Sequence, residues 1–152
     1  MYYLGSPSHA FQVMRQEAIG FTNANLNKMP LGLKVLFGND ADKDGLPDVF
    51  EQAVGTAKDK IDTDGDGFSD FRELSTGYSP LEKNKKLIFD NVLTLKFKGR
   101  ILLQIQGKGQ AWYVYPMDQK RYFLSRPTDA FNVMRQLSLG ITDKDYQALG
   151  GK

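Results

Sequence analysis

Three short apolar segments in the C-terminal third of the chain follow the two-residue period of β-strands. They are "RILLQIQ" (100–106), "AWYVYP" (111–116) and "RYFL" (121–124), separated by short polar turns. Successive side chains of a strand point to opposite faces, so Trp112 and Val114 share one face while Tyr113 and Tyr115 share the other. The pattern predicts three antiparallel strands.

After Pro127 a helical period replaces the strand period. Apolar residues recur at helical spacing from Ala130 and Phe131 onward, Thr128 stands where a helix N-cap is favoured, and Gly140 stands where a helix is expected to stop. Residues 122–142 are therefore predicted to form a strand, a turn and a helix.

The same unit occurs at the N-terminal end of the chain. Residues 2–22 align without a gap with residues 122–142, and 11 of the 21 positions are identical. The repeat predicts a strand at Tyr2–Leu4, on or near the sheet of the C-terminal copy, and a helix that stops at Gly20. Between the copies, residues 81–86 are predicted to be a solvated connector, and residues 89–99 are compatible with a strand or a helix.

Two acidic segments between the copies follow neither period. Loop 1, "DADKDGLPDVFE" (40–51), and loop 2, "DTDGDGFSDFRE" (62–73), align at an offset of 22, with acids at positions 1, 3, 5, 9 and 12 and glycine at position 6. Calcium takes six to eight oxygen ligands, and a 12-residue loop supplies them from positions 1, 3, 5, 7, 9 and 12. Two calcium ions are predicted, held in loop 1 by Asp40, Asp42, Asp44, the Leu46 carbonyl, Asp48 and Glu51, and in loop 2 by Asp62, Asp64, Asp66, the Phe68 carbonyl, Asp70 and Glu73. Asp70 is expected to act directly or through water, and magnesium, manganese or a lanthanide would also find hard oxygens there.

Charge along the chain supports the same interpretation. The net charge is +2, but residues 40–73 carry 11 acids and 4 bases, whereas the rest of the chain carries 7 acids and 16 bases. The excess of negative charge is therefore concentrated in the segment that contains the two loops. Lysines and arginines do not form runs longer than two residues, so a nucleic-acid partner is not expected.

The loops resemble EF-hand loops and, more closely, the thrombospondin type 3 calcium repeats of bacteria, over residues 38–80. The resemblance includes the D-x-D-x-D-G-x-x-D-x-x-E pattern and the closing "LSTGYSP" (74–80). Position 8, where paired EF-hands join through backbone hydrogen bonds, is Pro47 in loop 1 and Ser69 in loop 2, so a mini-sheet between the loops is not expected. Short exit helices are predicted at 48–54 and 70–75.

The repeated unit resembles a module of bacterial surface and exported proteins, with the pattern W-Y-V-x-P-x-D-x-K-R-Y-F-L. The chain contains no cysteine, and its first ten residues lack the pattern of a signal peptide. The resemblance implies an extracellular or cell-surface location, as a fragment of an exported protein.

The organisation expected is α+β: a partial module (1–37), the calcium-binding segment (38–80) and a full module (81–152), forming a small antiparallel sheet with short helices.

The function expected is a calcium-binding structural or adhesive module, in which calcium orders the loops and fixes the module geometry. The alternative is binding of cell-wall glycan through exposed aromatic rings, with Trp112, Tyr113, Tyr115 and Tyr122 as the candidate ligand surface. An enzyme is not expected, since His9 is the only histidine and Asp129 replaces it in the second copy. A membrane-spanning segment is not expected either.

Overall fold

The computed structural model describes residues 18–137. Four strands form one sheet in the order β1-β2-β3-β4. They are β1 Ile19–Phe21, β2 Ile101–Gln104, β3 Ala111–Val114 and β4 Arg121–Leu124. Strands β2, β3 and β4 are antiparallel neighbours at the predicted places, whereas β1 pairs in parallel with β2. The predicted α+β class is confirmed, but the sheet is mixed and not purely antiparallel.

Strand β1 corrects the prediction of a helix that stops at Gly20. Gly20 lies in the middle of β1, opposite Leu103 of β2. The next residue, Phe21, is buried in the core, and its carbonyl oxygen accepts a hydrogen bond from the N–H of Ile105. Burial of an aromatic ring and pairing of a free sheet edge outweigh the local helix signal. The predicted strand Tyr2–Leu4 and His9 lie outside the described residues.

The described residues contain five short helices. They are α1 Asn23–Leu26, α2 Asp48–Val54, α3 Asp70–Thr76, α4 Asn91–Lys96 and α5 Pro127–Leu137. Both predicted exit helices are confirmed, and residues 91–96 of the ambiguous segment 89–99 form α4. Helix α5 begins at Pro127, one residue before the predicted N-cap Thr128, because the fixed φ of proline suits the first helical position. The predicted stop at Gly140 lies outside the described residues.

Both faces of the C-terminal strands are covered by other parts of the chain. On one face, the core residues from the sheet and from loop 1 with α2 are Leu102, Trp112, Val114, Phe123, Leu46, Phe50 and Ala53. On the other face, the core residues from β4, α5 and the segment between α1 and loop 1 are Tyr122, Leu124, Ala130, Val133, Leu137 and Val35. All four residues of β4 are buried, since each face of that strand meets a packed layer. Loop 1 and α2 are therefore part of the core.

Gln104 links the exit helix of loop 1 to the sheet. Its side chain is buried, and its Oε1 accepts a hydrogen bond from Trp112 Nε1 at 3.0 Å. Its Nε2 donates to the carbonyl oxygen of Ala53 in α2 at 3.1 Å and to Asn23 Oδ1 at 2.9 Å. One amide therefore satisfies polar groups from a strand, from α2 and from α1.

We expect Gln104→Leu to lower the free energy of unfolding by about 2–4 kcal/mol, because it leaves Trp112 Nε1 and the Ala53 carbonyl buried without partners. Urea unfolding in saturating calcium measures this change. The exposed Gln52 of α2 provides the control, since Gln52→Leu should change stability by less than about 0.5 kcal/mol. Equal losses in the two variants would contradict the role given to Gln104.

Candidate metal centre

Loop 1 gathers three carboxylates at one point. Carboxylate oxygens of Asp40, Asp42 and Asp44 all lie within 4.8 Å of one another, and the three side chains are half-buried. The backbone of the loop holds them: the N–H groups of Lys43 and Gly45 donate to the two oxygens of Asp40 at 2.7 and 3.0 Å. The N–H of Asp44 donates to Asp42 Oδ1 at 3.1 Å. The chain therefore orients these side chains through its own amides.

Loop 2 repeats this arrangement at an offset of 22 residues. Carboxylate oxygens of Asp62, Asp64 and Asp66 also lie within 4.8 Å of one another. The N–H groups of Gly65 and Gly67 donate to Asp62 at 2.7 and 2.8 Å, as their counterparts do in loop 1. The two loops are thus two copies of one structural unit, and each carboxylate triplet can hold a metal ion.

Glycine at the sixth position of each loop is required by the backbone. The φ angles of Gly45 and Gly67 are +105° and +96°, a region that residues with a Cβ rarely adopt. The chain bends sharply at this point, between the triplet of aspartates and the exit helix. The predicted bend at position 6 is confirmed in both loops.

The ninth-position aspartates close the neck of each loop. Asp48 Oδ1 accepts a hydrogen bond from the N–H of Ala41 at 2.9 Å, and its Oδ2 accepts one from Asn39 Nδ2 at 2.9 Å. Asp70 accepts two bonds from Thr63, from the N–H at 2.8 Å and from the hydroxyl at 2.6 Å. Both oxygens of each carboxylate accept a hydrogen bond, as do both oxygens of Asp40 and Asp62, and each oxygen keeps a further lone pair for a metal ion. Asp48 and Asp70 therefore stay predicted ligands, Asp70 directly or through water.

The sequence reasoning missed Asn39 and Thr63. Asn39 precedes loop 1, and its carbonyl oxygen also accepts the N–H of Asp48 at 2.7 Å. Thr63 is the second residue of loop 2, and its hydroxyl both accepts from the N–H of Ala57 and donates to Asp70. A polar residue next to the first aspartate of each loop was the available signal in the sequence. Asn39 comes before that aspartate in loop 1, whereas Thr63 comes after it in loop 2.

The twelfth-position glutamates are buried with an unpartnered oxygen. The exposed fractions of Glu51 and Glu73 are 0% and 3%. Within the described part of the chain, Oε2 of each glutamate lacks a hydrogen-bond partner, and so does the buried Oδ2 of Asp42 in loop 1 and of Asp64 in loop 2. Buried carboxylate oxygens normally have a partner, because desolvation otherwise costs free energy. The orphan oxygens stand at the third and twelfth positions of both loops.

The pKa values of the glutamates reflect this environment. Burial raises the pKa of Glu51 to about 7, and the negative charge of Asp42 adds to the rise. Burial likewise raises the pKa of Glu73 to about 7, and the charge of Asp64 adds to it. A bound cation would supply the positive charge that the site lacks and would favour the ionised carboxylates.

The fifth-position aspartates connect each loop to the chain that follows it. Asp44 Oδ2 accepts a hydrogen bond from the N–H of Phe71, in the first turn of α3, at 3.0 Å. Asp66 Oδ2 accepts one from the N–H of Asn84 at 3.4 Å, and Lys83 Nζ donates to the carbonyl oxygen of Gly65 at 2.8 Å. Loop 1 is therefore bonded to the exit helix of loop 2, and loop 2 to the exposed connector 81–86.

The seventh positions differ between the loops. Leu46 is fully buried in the core, whereas Phe68 is 42% exposed and its ring lies 4.8 Å from the guanidinium carbon of Arg72. Loop 1 therefore faces the core and loop 2 faces solvent. The backbone carbonyl oxygens of Leu46 and Phe68 remain predicted ligands of the two calcium ions.

The candidate ligand surface on the C-terminal sheet is corrected by the packing. The exposed fractions of Trp112 and Tyr122 are 0% and 1%, so neither ring can meet a glycan. Tyr113 and Tyr115 are half-buried and pack against the cluster beneath α5. The prediction assumed that only one face of the sheet would be covered. In the structure α5 packs on one face, and loop 1 with α2 covers the opposite face.

Comparisons with family models, with characterised proteins and with solved structures found no match to this chain. The resemblance of the loops to thrombospondin type 3 repeats therefore stays a prediction from their spacing. None of the helices in the described range 18–137 is long and apolar enough to cross a membrane.

Proposed function

We propose that this protein is a calcium-binding structural module, in which two ions, one in each loop, fix α2 and α3 against the sheet. The observation that carries the proposal is the buried, unpartnered carboxylate oxygen at the twelfth position of each loop, beside a triplet of aspartates. Because the carboxylate set repeats in both loops, one cation per loop accounts for both sets of orphan oxygens.

Calcium fits the donor set better than the other hard cations. The oxygens come from carboxylates and, by prediction, from a backbone carbonyl, and calcium accepts such mixed ligands at variable angles. Magnesium requires a stricter octahedron and keeps several of its waters. The fully buried glutamates suit an ion that loses most of its water, which favours calcium.

Isothermal titration calorimetry tests this proposal. The wild-type protein is expected to bind two calcium ions per molecule. Glu51→Gln and Glu73→Gln are each expected to reduce this number to one. Exposed Glu82, which pairs with Lys85, provides a matched control, since Glu82→Gln should still bind two ions. Absence of calcium binding, or equal affinity for magnesium, would contradict the proposal.

The location outside the cell is part of the same proposal. Extracellular calcium modules have Kd values on the order of 10⁻⁴–10⁻³ M, and a site of that affinity is empty at resting cytosolic calcium. Sites of this affinity would hold calcium outside the cell, which supports a structural or adhesive role on a bacterial surface. A Kd below about 10⁻⁶ M in the titration would favour an intracellular sensor or buffer instead.

A further inference from the structure

The side chain of Arg121, the first residue of β4, is buried in the core. The exposed fraction of the residue is 3%. Its guanidinium carbon lies 4.3 Å from the centre of the Trp112 ring, and its Nε donates to the carbonyl oxygen of Met29 at 3.3 Å. The backbone of Arg121 is also fixed, since its N–H donates to the carbonyl oxygen of Pro30. The side chain therefore has a defined place in the core.

The charge of this guanidinium has no counter-charge in the part of the chain that the structure describes. The ion pair found there joins Lys85 to Glu82, on the exposed connector. Burial lowers the pKa of Arg121 to about 9, which still leaves the group charged at neutral pH. Arginines are seldom fully buried without a carboxylate or another anion, because removing an unpaired charge from water is unfavourable. Stacking on Trp112 offsets part of that cost.

Arg121 lines a cavity of about 50 Å³ between the segment after α1 and the connector after α3. Most of its lining is apolar and includes Val54 of α2 and Leu74 of α3. Ser79 also lines it, and since its hydroxyl oxygen accepts a hydrogen bond from the N–H of Leu81, the hydroxyl hydrogen is left to donate. The described lining contains no carboxylate. Its volume suits one or two particles of about the size of water.

We propose that this cavity is a binding site for a small monovalent anion of halide size, held by the Arg121 guanidinium and the Ser79 hydroxyl. The guanidinium has five N–H donors and no acceptor, and one of them is used by Met29. An anion in the cavity compensates the buried charge and accepts from the remaining donors. This site is separate from the two cation loops and does not depend on the identity of their ions.

Thermal unfolding at saturating calcium and constant ionic strength tests the proposal. Replacing gluconate, which is too large for the cavity, by chloride should raise the Tm of the wild-type protein by about 3–6 °C at a tenfold excess over Kd, and the rise should saturate. Arg121→Met should show no such rise, and it is expected to fold because apolar residues of similar volume replace buried charges well. Exposed Arg126→Met is the control and should keep the rise. A rise of the same size in Arg121→Met would be a general salt effect and would overturn the proposal.

A second measurement uses the wild-type protein alone. Crystals grown with sodium bromide should show an anomalous bromide peak within hydrogen-bond distance of the Arg121 guanidinium. A cavity that contains only water in those crystals would overturn the proposal, whatever the variants do.

Discussion

Removal of calcium is expected to lower the Tm of the protein by about 10–20 °C. Each ion stabilises the folded chain by about 2.7 kcal/mol at a hundredfold excess over Kd, and for a chain of this size about 1 kcal/mol corresponds to 2–4 °C. Differential scanning calorimetry with calcium and with EGTA measures the shift. Trp112 gives a second readout, because its ring centre lies 6.0 Å from that of Phe50, the neighbour of Glu51 in α2.

The control for this experiment is the double variant Glu51→Gln/Glu73→Gln, whose Tm should be the same with and without EGTA. A wild-type Tm that EGTA leaves unchanged would show that the loops do not contribute bound ions to stability. A lower Tm with unchanged Trp112 fluorescence would contradict the packing of α2 on the sheet as the link between ion and core.

The second large effect expected is an inversion of the pH dependence of stability when calcium is removed. The pKa values of Glu51 and Glu73 are near 7 in the folded protein, above the ordinary value of 4.5. The folded state then binds more protons than the unfolded state between pH 4.5 and 7, so stability falls as the pH rises through that window. Burial also raises the pKa of Asp42 and of Asp70, which acts in the same direction.

Calcium-free protein prepared on a chelating resin should therefore be more stable to urea at pH 5.5 than at pH 7.5. With saturating calcium the order should reverse, because the ion binds ionised carboxylates and protons compete with it. The Glu51→Gln/Glu73→Gln variant should show a much smaller pH dependence in the absence of calcium. Stability of the calcium-free wild type that rises from pH 5.5 to 7.5 would contradict the assignment.

Much of the fold follows from local pattern. The alternation around Trp112 located β3, and the acidic spacing predicted α2, which begins at Asp48 as expected. Such features depend on neighbouring residues, whose periodicity and backbone preferences can be read directly. The gathering of the first, third and fifth aspartates is likewise local, because amides of the same loop hold them.

What the sequence could not predict depends on contacts between distant segments. Gly20 lies in a strand because the edge of β2, about 80 residues later, is available for pairing. Trp112 is buried because Phe50 of α2 packs on it. Asp48 joins the two ends of loop 1 because it accepts a hydrogen bond from the side chain of Asn39. The first two depend on tertiary structure, and the third on a hydrogen-bond geometry that residue spacing alone does not define.

The hydrogen bond from the Phe71 N–H to Asp44 has a consequence for the order in which the protein matures. A chain that emerges from the ribosome or an export channel with its N-terminal end first presents all of loop 1 before Phe71 is accessible. At that stage the fifth-position carboxylate of loop 1 lacks one of its donors. The geometry described for loop 1 is therefore completed only after α3 has followed, and the upstream site matures with the downstream one.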